Sequence, residues 1–162
     1  MPNQVSAIQG ALTDVTSTAT NALGTIYHDG TKKYKYVNIK NTTATVAGAA
    51  GDPVGYFAVT GYTNNRVVID LSDADSPAFA AGVLCGTVTG TSGTDYYGWI
   101  QITGAATTVT SVSSAAAGAP FTLNATDKTF VKAAESDTAA VYKQVAGISI
   151  NTTTGIVLTC PE

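Results

Sequence analysis

Apolar and β-branched residues recur along 24–162 in short runs that are separated by glycine-rich turns. The clearest two runs are 81–89 and 96–102, and the segment GTSGTD between them has the composition of a loop. Gly104 is expected to end the second run. An Asp-Gly pair at 29–30 predicts a hairpin turn before a strand at 32–39. Long helical patterns are absent from this part, so the pattern predicts an all-β fold, a small antiparallel β-sandwich or barrel. The remaining strands are predicted at 23–27, 55–59, 67–71, 107–112, 121–123, 129–131, within 141–150, and at 156–160.

The strand at 96–102 is apolar on both of its faces. Alternation places Tyr97, Trp99 and Gln101 on one face, and Tyr96, Ile100 and Ile102 on the other. A strand at the surface of a monomeric antiparallel sheet has one polar face. We therefore expect both faces to be covered, by a second sheet or by another subunit.

Trp99 is the only tryptophan of the chain, and two interpretations of it remain open. It is either a core residue of a β-sandwich, which is the more common position, or an anchor at a subunit interface, where Trp and Tyr are enriched. Tyr97 lies on the same face and would share either role.

Residues 1–23 differ from the rest of the chain because their apolar positions follow helical spacing. Gly10 interrupts the pattern, and the neighbouring threonines are poor helix formers. We predict an N-terminal arm at 1–23, extended or as a short helix, which docks on a partner through its apolar side and precedes a β-domain at 24–162. The apolar stripe consists of Val5, Ile8, Leu12, Val15, Ala19 and Ala22, and the candidate interface residues are Val5, Ile8, Leu12, Val15, Tyr97 and Trp99.

Charged residues make up only 12% of the 162-residue chain, whereas an ordinary soluble domain has about 25%. Threonine, alanine, glycine, serine and asparagine take their place, and the formal net charge is -3. We interpret this as a chain that buries much of its surface in an assembly, although an extracellular β-domain with a neutral surface would have the same composition. No apolar run approaches the roughly 18 to 20 residues that span a bilayer, so no membrane partner is expected.

The lysines Lys33, Lys35 and Lys40 are interleaved with tyrosines and aliphatic residues. This spacing is typical of the solvent side of a half-buried strand rather than of a phosphate site. Because Lys and Arg total only 8, we expect no nucleic acid partner.

Side chains that could carry out catalysis or bind a metal are scarce. His28, the only histidine, falls in the predicted turn and is expected to be solvated. Asp70, Asp73 and Asp75 form one carboxylate cluster, which could bind Ca²⁺ or serve a glycosidase, but a solvated acidic loop is the simpler interpretation. We therefore predict no enzymatic activity, no metal site and no cofactor.

Cys85 and Cys160 are the only cysteines. The first residues, MPNQVSAIQG, lack the features of a secretory signal, so free thiols in a cytoplasm are the default expectation. A disulfide between the two remains open if their strands are neighbours, and two buried thiols are the alternative.

Parts of the chain resemble small head decoration proteins of tailed bacteriophages. The matching stretches are Leu23-Gly24-Thr25 with Asp29-Gly30 and Tyr34-Lys35-Tyr36-Val37, then Ala81-Gly82-Val83 with Tyr97-Gly98-Trp99-Ile100-Gln101 and Gly104, and finally Ala146-Gly147-Ile148 with Gly155-Ile156-Val157-Leu158. The likeness runs from about residue 23 to residue 160, and its motifs are short and rich in glycine.

The resemblance implies a capsid cement protein on the outer surface of an icosahedral virion, present in the host cytoplasm during assembly. Such proteins are typically β-rich homotrimers at local three-fold positions of the shell, where they clamp neighbouring subunits of the major capsid protein. The family has no common catalytic residues to carry over. Low charge and hydroxyl-rich faces would suit a dry interface, and trimerisation would make the attachment multivalent.

A carbohydrate-binding β-domain of a phage fibre or adhesin is the alternative function, in which aromatic side chains would stack on sugars. Its candidates are Tyr56, Tyr62, Tyr96, Tyr97 and Trp99. A glycosidase with its carboxylates in the 70–75 loop is a third hypothesis.

Overall fold

The computed structural model describes residues 8–40, 45–57, 65–71, 79–89, 93–106, 109, 112–113, 117–124, 128–133, 146–149 and 156–160. Within these ranges the chain is all-β and has no helix, which confirms the predicted fold class. A helix that could cross a membrane is therefore not found in the described part either. The strands are β1 (Ile26–Asp29), β2 (Lys32–Ile39), β3 (Pro53–Tyr56), β4 (Arg66–Val68), β5 (Ala80–Leu84), β6 (Tyr96–Ala106), β7 (Val112–Ser113), β8 (Pro120–Leu123), β9 (Phe130–Lys132), β10 (Gly147–Ser149) and β11 (Ile156–Thr159).

Five of these strands close into a barrel. They are hydrogen-bonded in the order β2, β4, β3, β5 and β6, and β6 pairs back with β2 to complete the ring. A ring with an odd number of strands cannot be antiparallel throughout, and the exception is the parallel pair β2 and β4. The antiparallel pairing of β5 with β6 confirms the predicted hairpin.

The remaining strands extend the sheet at both ends of the barrel order. β1 forms the predicted hairpin with β2, in which Asp29 pairs with Lys32 and Gly30 takes a positive φ of 58°. At the other end β11, β10, β8, β9 and β7 follow β6. We refer to the part formed by the second half of β6 with β11, β10, β8, β9 and β7 as the extension.

The strand β6 is longer than the sequence predicts, because Gly104 does not end it. Gly104 has a φ of 92°, and a Cβ atom there would lie 2.7 Å from the Thr31 carbonyl oxygen. The Gln101 side-chain Nε2 donates to the carbonyl oxygens of Thr103, Gly104 and Ala105, each at 3.2 Å. The register of β6 against β2 shifts at this point, since Lys33 pairs with Thr103 and Tyr34 pairs with Gln101. The glycine and this amide therefore lie at the irregularity where the strand leaves the barrel for the extension.

The main core fills the barrel and runs under the extension. Register places Lys35 of β2 opposite Ile100 of β6 and Val37 opposite Gly98, so these residues share the inner face. The largest fully buried aliphatic and aromatic side chains of this core are Tyr56, Phe121, Phe130, Ile39, Ile69, Leu71, Leu84, Ile100 and Ile102.

The prediction that Lys35 lies on a solvent side is wrong. Lys35 is only 4% exposed, and its Nζ donates a hydrogen bond of 2.9 Å to Tyr56 Oη and lies 5.0 Å from the centre of the Tyr56 ring. Alternation does put Lys35 on the face of Val37 and Ile39, but closure of the barrel turns that face inward. Lys33 and Lys40 remain partly exposed.

The expected acidic loop is corrected at its first residue, because Asp70 is buried together with Ile69 and Leu71. Asp73 and Asp75 lie outside the described residues. His28 is exposed, as predicted. In the part of the chain that the structure describes, no group of three His, Cys, Asp or Glu residues could hold a metal ion.

Both cysteines are free thiols, so the alternative of two unpaired cysteines is confirmed and the disulfide is not formed. Cys160 is buried and its Sγ lies 3.5 Å from the Ala146 carbonyl oxygen, whereas Cys85 is partly buried. Burial raises the pKa of both thiols from 9.0 to about 12.

We expect both thiols to react slowly with an aromatic disulfide reagent at pH 8 in the folded protein, because the thiolate is the reactive form. In denaturant both should react at once.

The free energy of unfolding should also depend on pH. Since folding raises the thiol pKa, the folded chain holds these protons more tightly, and the free energy of unfolding should fall as the pH rises from about 9 towards 12. The Cys85→Ala and Cys160→Ala double variant should lose this part of the slope, and an unchanged slope would contradict the assignment.

Candidate interaction surfaces

Residues 8–22, which we call the N-terminal segment, lie against the chain's own β-domain. Ile8 and Leu12 pack on a cluster of buried aromatic residues, and Val15 packs on the main core. The described part of the segment consists of turns and one isolated bridge, without a helix. Within the single chain these three side chains contact the β-domain, and their docking on a partner stays a prediction. Val5 lies outside the described residues.

Two sets of hydrogen bonds attach the N-terminal segment to the barrel. Thr16 and Tyr97 exchange two backbone bonds, from Thr16 N to Tyr97 O at 3.0 Å and from Tyr97 N to Thr16 O at 2.8 Å. The Tyr36 Oη accepts a bond of 3.0 Å from the Thr20 N–H and lies 3.1 Å from Thr20 Oγ1. The segment therefore adds a single bridge to the edge of β6 rather than a full strand.

Two glycines form the floor on which the N-terminal segment lies. A Cβ atom at Gly86 would overlap the Thr13 carbonyl oxygen and lie 2.9 Å from Val15 Cγ2. At Gly98 it would lie 3.2 Å from Val15 Cγ2 and 3.4 Å from the Asp14 carbonyl oxygen. Neither glycine has a positive φ, so close approach of the segment is what favours glycine here. The barrel surface that the N-terminal segment covers, including Gly86 and Gly98, is called the channel below.

The aromatic cluster under the N-terminal segment consists of Tyr34, Tyr36 and Trp99, with Tyr27 packed against it. The ring centres of Tyr36 and Trp99 are 5.2 Å apart and those of Tyr27 and Trp99 are 6.3 Å apart, both in edge-to-face geometry. Burial, as the largest cause, raises the pKa of the Tyr34 hydroxyl.

The core interpretation of Trp99 is confirmed, because its side chain is 1% exposed within a single chain. Its ring is therefore not available as an anchor for a partner. Both faces of residues 96–102 are covered, as expected, but by the barrel interior on one side and by the N-terminal segment on the other. Tyr97 is half-buried, and its contact with a partner stays a prediction.

A cavity of about 260 Å³ lies between the N-terminal segment and the barrel. Leu12 and Thr13 of the N-terminal segment line it together with Cys85 of the barrel side. Lys32 is the one charged residue among those that line it.

The exposed face of the extension carries a row of apolar residues that the sequence analysis did not single out. Register aligns Ala105 of β6 with Val157 of β11, Val157 with Ile148 of β10, and Ile148 with Pro120 of β8, so all four side chains share one face. Ile148 is 47% exposed and Val157 is 41% exposed. We call these four residues the apolar row. Apolar residues at successive positions of 156–158 were the available signal, but only the order of strands shows which face meets solvent.

Comparisons of the chain with protein-family models, with curated proteins and with solved structures found no match. The class that the described residues define is an all-β protein built on a closed five-stranded barrel with a sheet extension. The resemblance to phage head decoration proteins stays a prediction.

Proposed function

We propose that this protein is a structural, non-enzymatic component of a phage virion. It attaches to the outer surface of an icosahedral capsid, as a homotrimer, and bridges neighbouring subunits of the major capsid protein. The proposal rests on the resemblance of the sequence to head decoration proteins and on one feature of the surface, the apolar row.

The apolar row is the observation that carries the proposal. Ala105, Val157, Ile148 and Pro120 are uncharged and adjacent, and two of the chain's exposed large hydrophobic side chains belong to them. Exposed apolar patches that are rimmed by polar residues often mark interaction sites. On the same face the partners Thr103 and Thr159 continue the border with hydroxyl groups. Such a face suits a contact that excludes water and that salt screens only weakly.

The alternative function, a carbohydrate-binding domain, is disfavoured by the burial of its main candidates. Tyr56 and Trp99 are fully buried, and Tyr96 and Tyr97 are half-buried. A sugar stacks on an aromatic face that is open to solvent, and the faces of Tyr56 and Trp99 are not. Tyr62 lies outside the described residues. For the glycosidase hypothesis, Asp70 is buried beside apolar residues rather than placed in an open cleft.

The test uses expanded capsid shells from the phage whose genome encodes this chain. We expect the wild-type chain to behave as a trimer in size-exclusion chromatography with light scattering, and to sediment with the shells. The Ile148→Lys and Val157→Lys double variant should bind the shells at least about tenfold more weakly, because charge would have to be buried in an apolar contact.

The matched control is Thr87→Lys, which adds a lysine at an exposed position outside the extension. It should bind like the wild type. A monomeric chain that fails to sediment with expanded shells would refute the proposed function. Equal binding by the double variant would show that the apolar row is not the contact surface.

A further inference from the structure

Residues 9–21 form a loop that its own hydrogen bonds close. At its base the Gln9 N–H donates to Asn21 Oδ1 at 3.0 Å, and Asn21 Nδ2 donates to the Gln9 carbonyl oxygen at 3.1 Å. Inside it, the Ala11 N–H donates to Asp14 Oδ2 at 2.8 Å. We call residues 9–21 the closed loop. These bonds do not involve the barrel, so they would persist if the closed loop left the barrel as one body.

The contacts between the closed loop and the barrel are of a kind that any copy of the chain can supply. The channel offers the Tyr97 backbone, the Tyr36 hydroxyl and a glycine floor at Gly86 and Gly98. Apolar packing comes from Leu12 and Val15 of the closed loop. The same contacts form whether the closed loop belongs to the same chain or to a neighbour.

A short hinge connects the closed loop to β1. Residues 22–25 form a turn in which the Thr25 N–H and Thr25 Oγ1 both donate to the Ala22 carbonyl oxygen, at 3.1 Å and 2.7 Å. Gly24 has a φ of 82° in this turn. The Gly24 N–H donates to the Tyr36 carbonyl oxygen at 2.8 Å, and the Tyr36 N–H donates to the Thr25 carbonyl oxygen at 2.9 Å, so residues 24 and 25 are held on β2. Opening of the turn at residues 22 and 23 would place residue 24 about 7 Å from residue 22, since each extended step covers about 3.3–3.6 Å. The bond from Thr25 Oγ1 to Ala22 is exposed, so its loss costs little free energy.

We propose that the closed loop is exchanged between copies of this chain, so that the loop of one copy occupies the channel of another. Intrachain and interchain contacts are identical, and the balance is set by the hinge and by protein concentration. Leu23 lies in the hinge with its side chain exposed, although it is one of the large hydrophobic residues. In an exchanged pair, the hinges of the two chains lie side by side where the chains cross. Leu23 then gains an apolar contact with the other chain's hinge, which the single chain lacks. The proposal goes beyond the proposed function, because it does not require a capsid.

The test is a disulfide between two different full-length chains. The first chain carries Thr13→Cys together with Cys85→Ser, and the second is the wild type with its native Cys85. Thr13 is exposed and lines the same cavity as Cys85, so a disulfide reports a closed loop in its channel. The mixture is oxidised at alkaline pH, because burial raises the pKa of Cys85 to about 12. We expect covalent pairs of the two chains, in a yield that rises with protein concentration, with peptide mapping locating the bond.

Three variants sharpen the result. Gly86→Ala in the first chain blocks that chain's own channel and should raise the yield several-fold, whereas the neighbouring Thr87→Ala should leave it unchanged. Leu23→Ser in both chains should lower the yield several-fold, because the exchanged form loses its added contact.

A chain that carries Thr13→Cys with its own Cys85 serves as the reference. If it forms an intrachain disulfide while the mixture gives no covalent pair at any concentration, exchange is refuted. If it forms no disulfide either, the closed loop does not occupy the channel and the proposal also falls. A trimer that is held together by other surfaces gives no covalent pair, so failure of the exchange is distinct from failure of the proposed function.

Discussion

Replacement of Trp99 by alanine is expected to lower the free energy of unfolding by about 3–5 kcal/mol. Trp99 is 1% exposed, and its ring contacts Tyr36 and Tyr27 edge-to-face. Loss of the indole leaves a cavity between β6 and the N-terminal segment. The surrounding residues can fill this cavity only in part, because hydrogen bonds hold their backbone in place. Because a small domain is stable by about 5–15 kcal/mol, this is a large share of the total. Urea unfolding of the purified chain measures it.

Two further variants separate burial from the loss of aromatic area in general. Phe79→Ala removes a ring that is 40% exposed, and it should cost much less than Trp99→Ala. Trp99→Phe keeps an aromatic ring in the cluster and should cost less than the alanine variant. If Trp99→Ala costs no more than Phe79→Ala, the indole is not enclosed, and the cover by the N-terminal segment is wrong.

Replacement of Gly82 by alanine is expected to cost about 2–6 kcal/mol or to prevent folding. Gly82 lies in β5 with a φ of 150°, a conformation that residues other than glycine adopt only at a cost of about 1–3 kcal/mol. A Cβ atom there would also overlap the Gln101 carbonyl oxygen of β6, and backbone in a closed barrel cannot move away easily. Chemical denaturation, or the fraction of soluble protein, measures the loss.

The control for this prediction is Gly93→Ala. Gly93 also has a positive φ, 70°, but nothing lies within 4 Å of a Cβ atom there. Its cost should be about 1–2 kcal/mol, from the backbone conformation alone. Equal costs at the two positions would show that contact between β5 and β6 is not what requires Gly82.

The cover over Trp99 changes what the low charge of this chain means. The composition indicated a fold with an apolar, weakly charged surface that is buried in an assembly. The apolar stripe of residues 1–23 was expected to dock on a partner in that assembly. The structure shows that part of this apolar surface is satisfied within the chain, since Ile8 and Leu12 cover the aromatic cluster. Among the described residues the large hydrophobic side chains that stay exposed are Leu23, Phe79, Ile148 and Val157, and the last two belong to the apolar row.

Local patterns in the sequence were enough to predict most strands and their type. β-branched and aromatic runs with glycine turns are short-range signals, and the hairpin at 29–30 follows from the conformational freedom of Gly30 alone. Alternation also predicted correctly which side chains share a face of β6, because the period of two is fixed by the pleat of a strand. The prediction that Gly104 ends the strand is wrong, because β6 continues to Ala106 through this glycine with its positive φ of 92°.

Which face is buried was not predictable in the same way. Lys35 shares a face with Val37 and Ile39, and a half-buried open sheet would leave its amine in solvent. In the closed barrel the same face points inward, where Tyr56 Oη accepts the hydrogen bond of Lys35 Nζ. The misplacement of Lys35 and the omission of Ile148 have one cause, since both depend on which strands are neighbours in space.

The sequence by itself determined that the chain is all-β, that the strand at 96–102 is apolar on both sides, and that residues 1–23 carry an apolar stripe. These are properties of short stretches, and side-chain alternation and spacing encode them directly. Only the tertiary structure decided that β2 closes on β6, that the stripe covers the chain's own Trp99, and that Val157 and Ile148 stay in solvent. Burial is a property of contacts between residues far apart in the chain, and a local pattern does not say which of them meet.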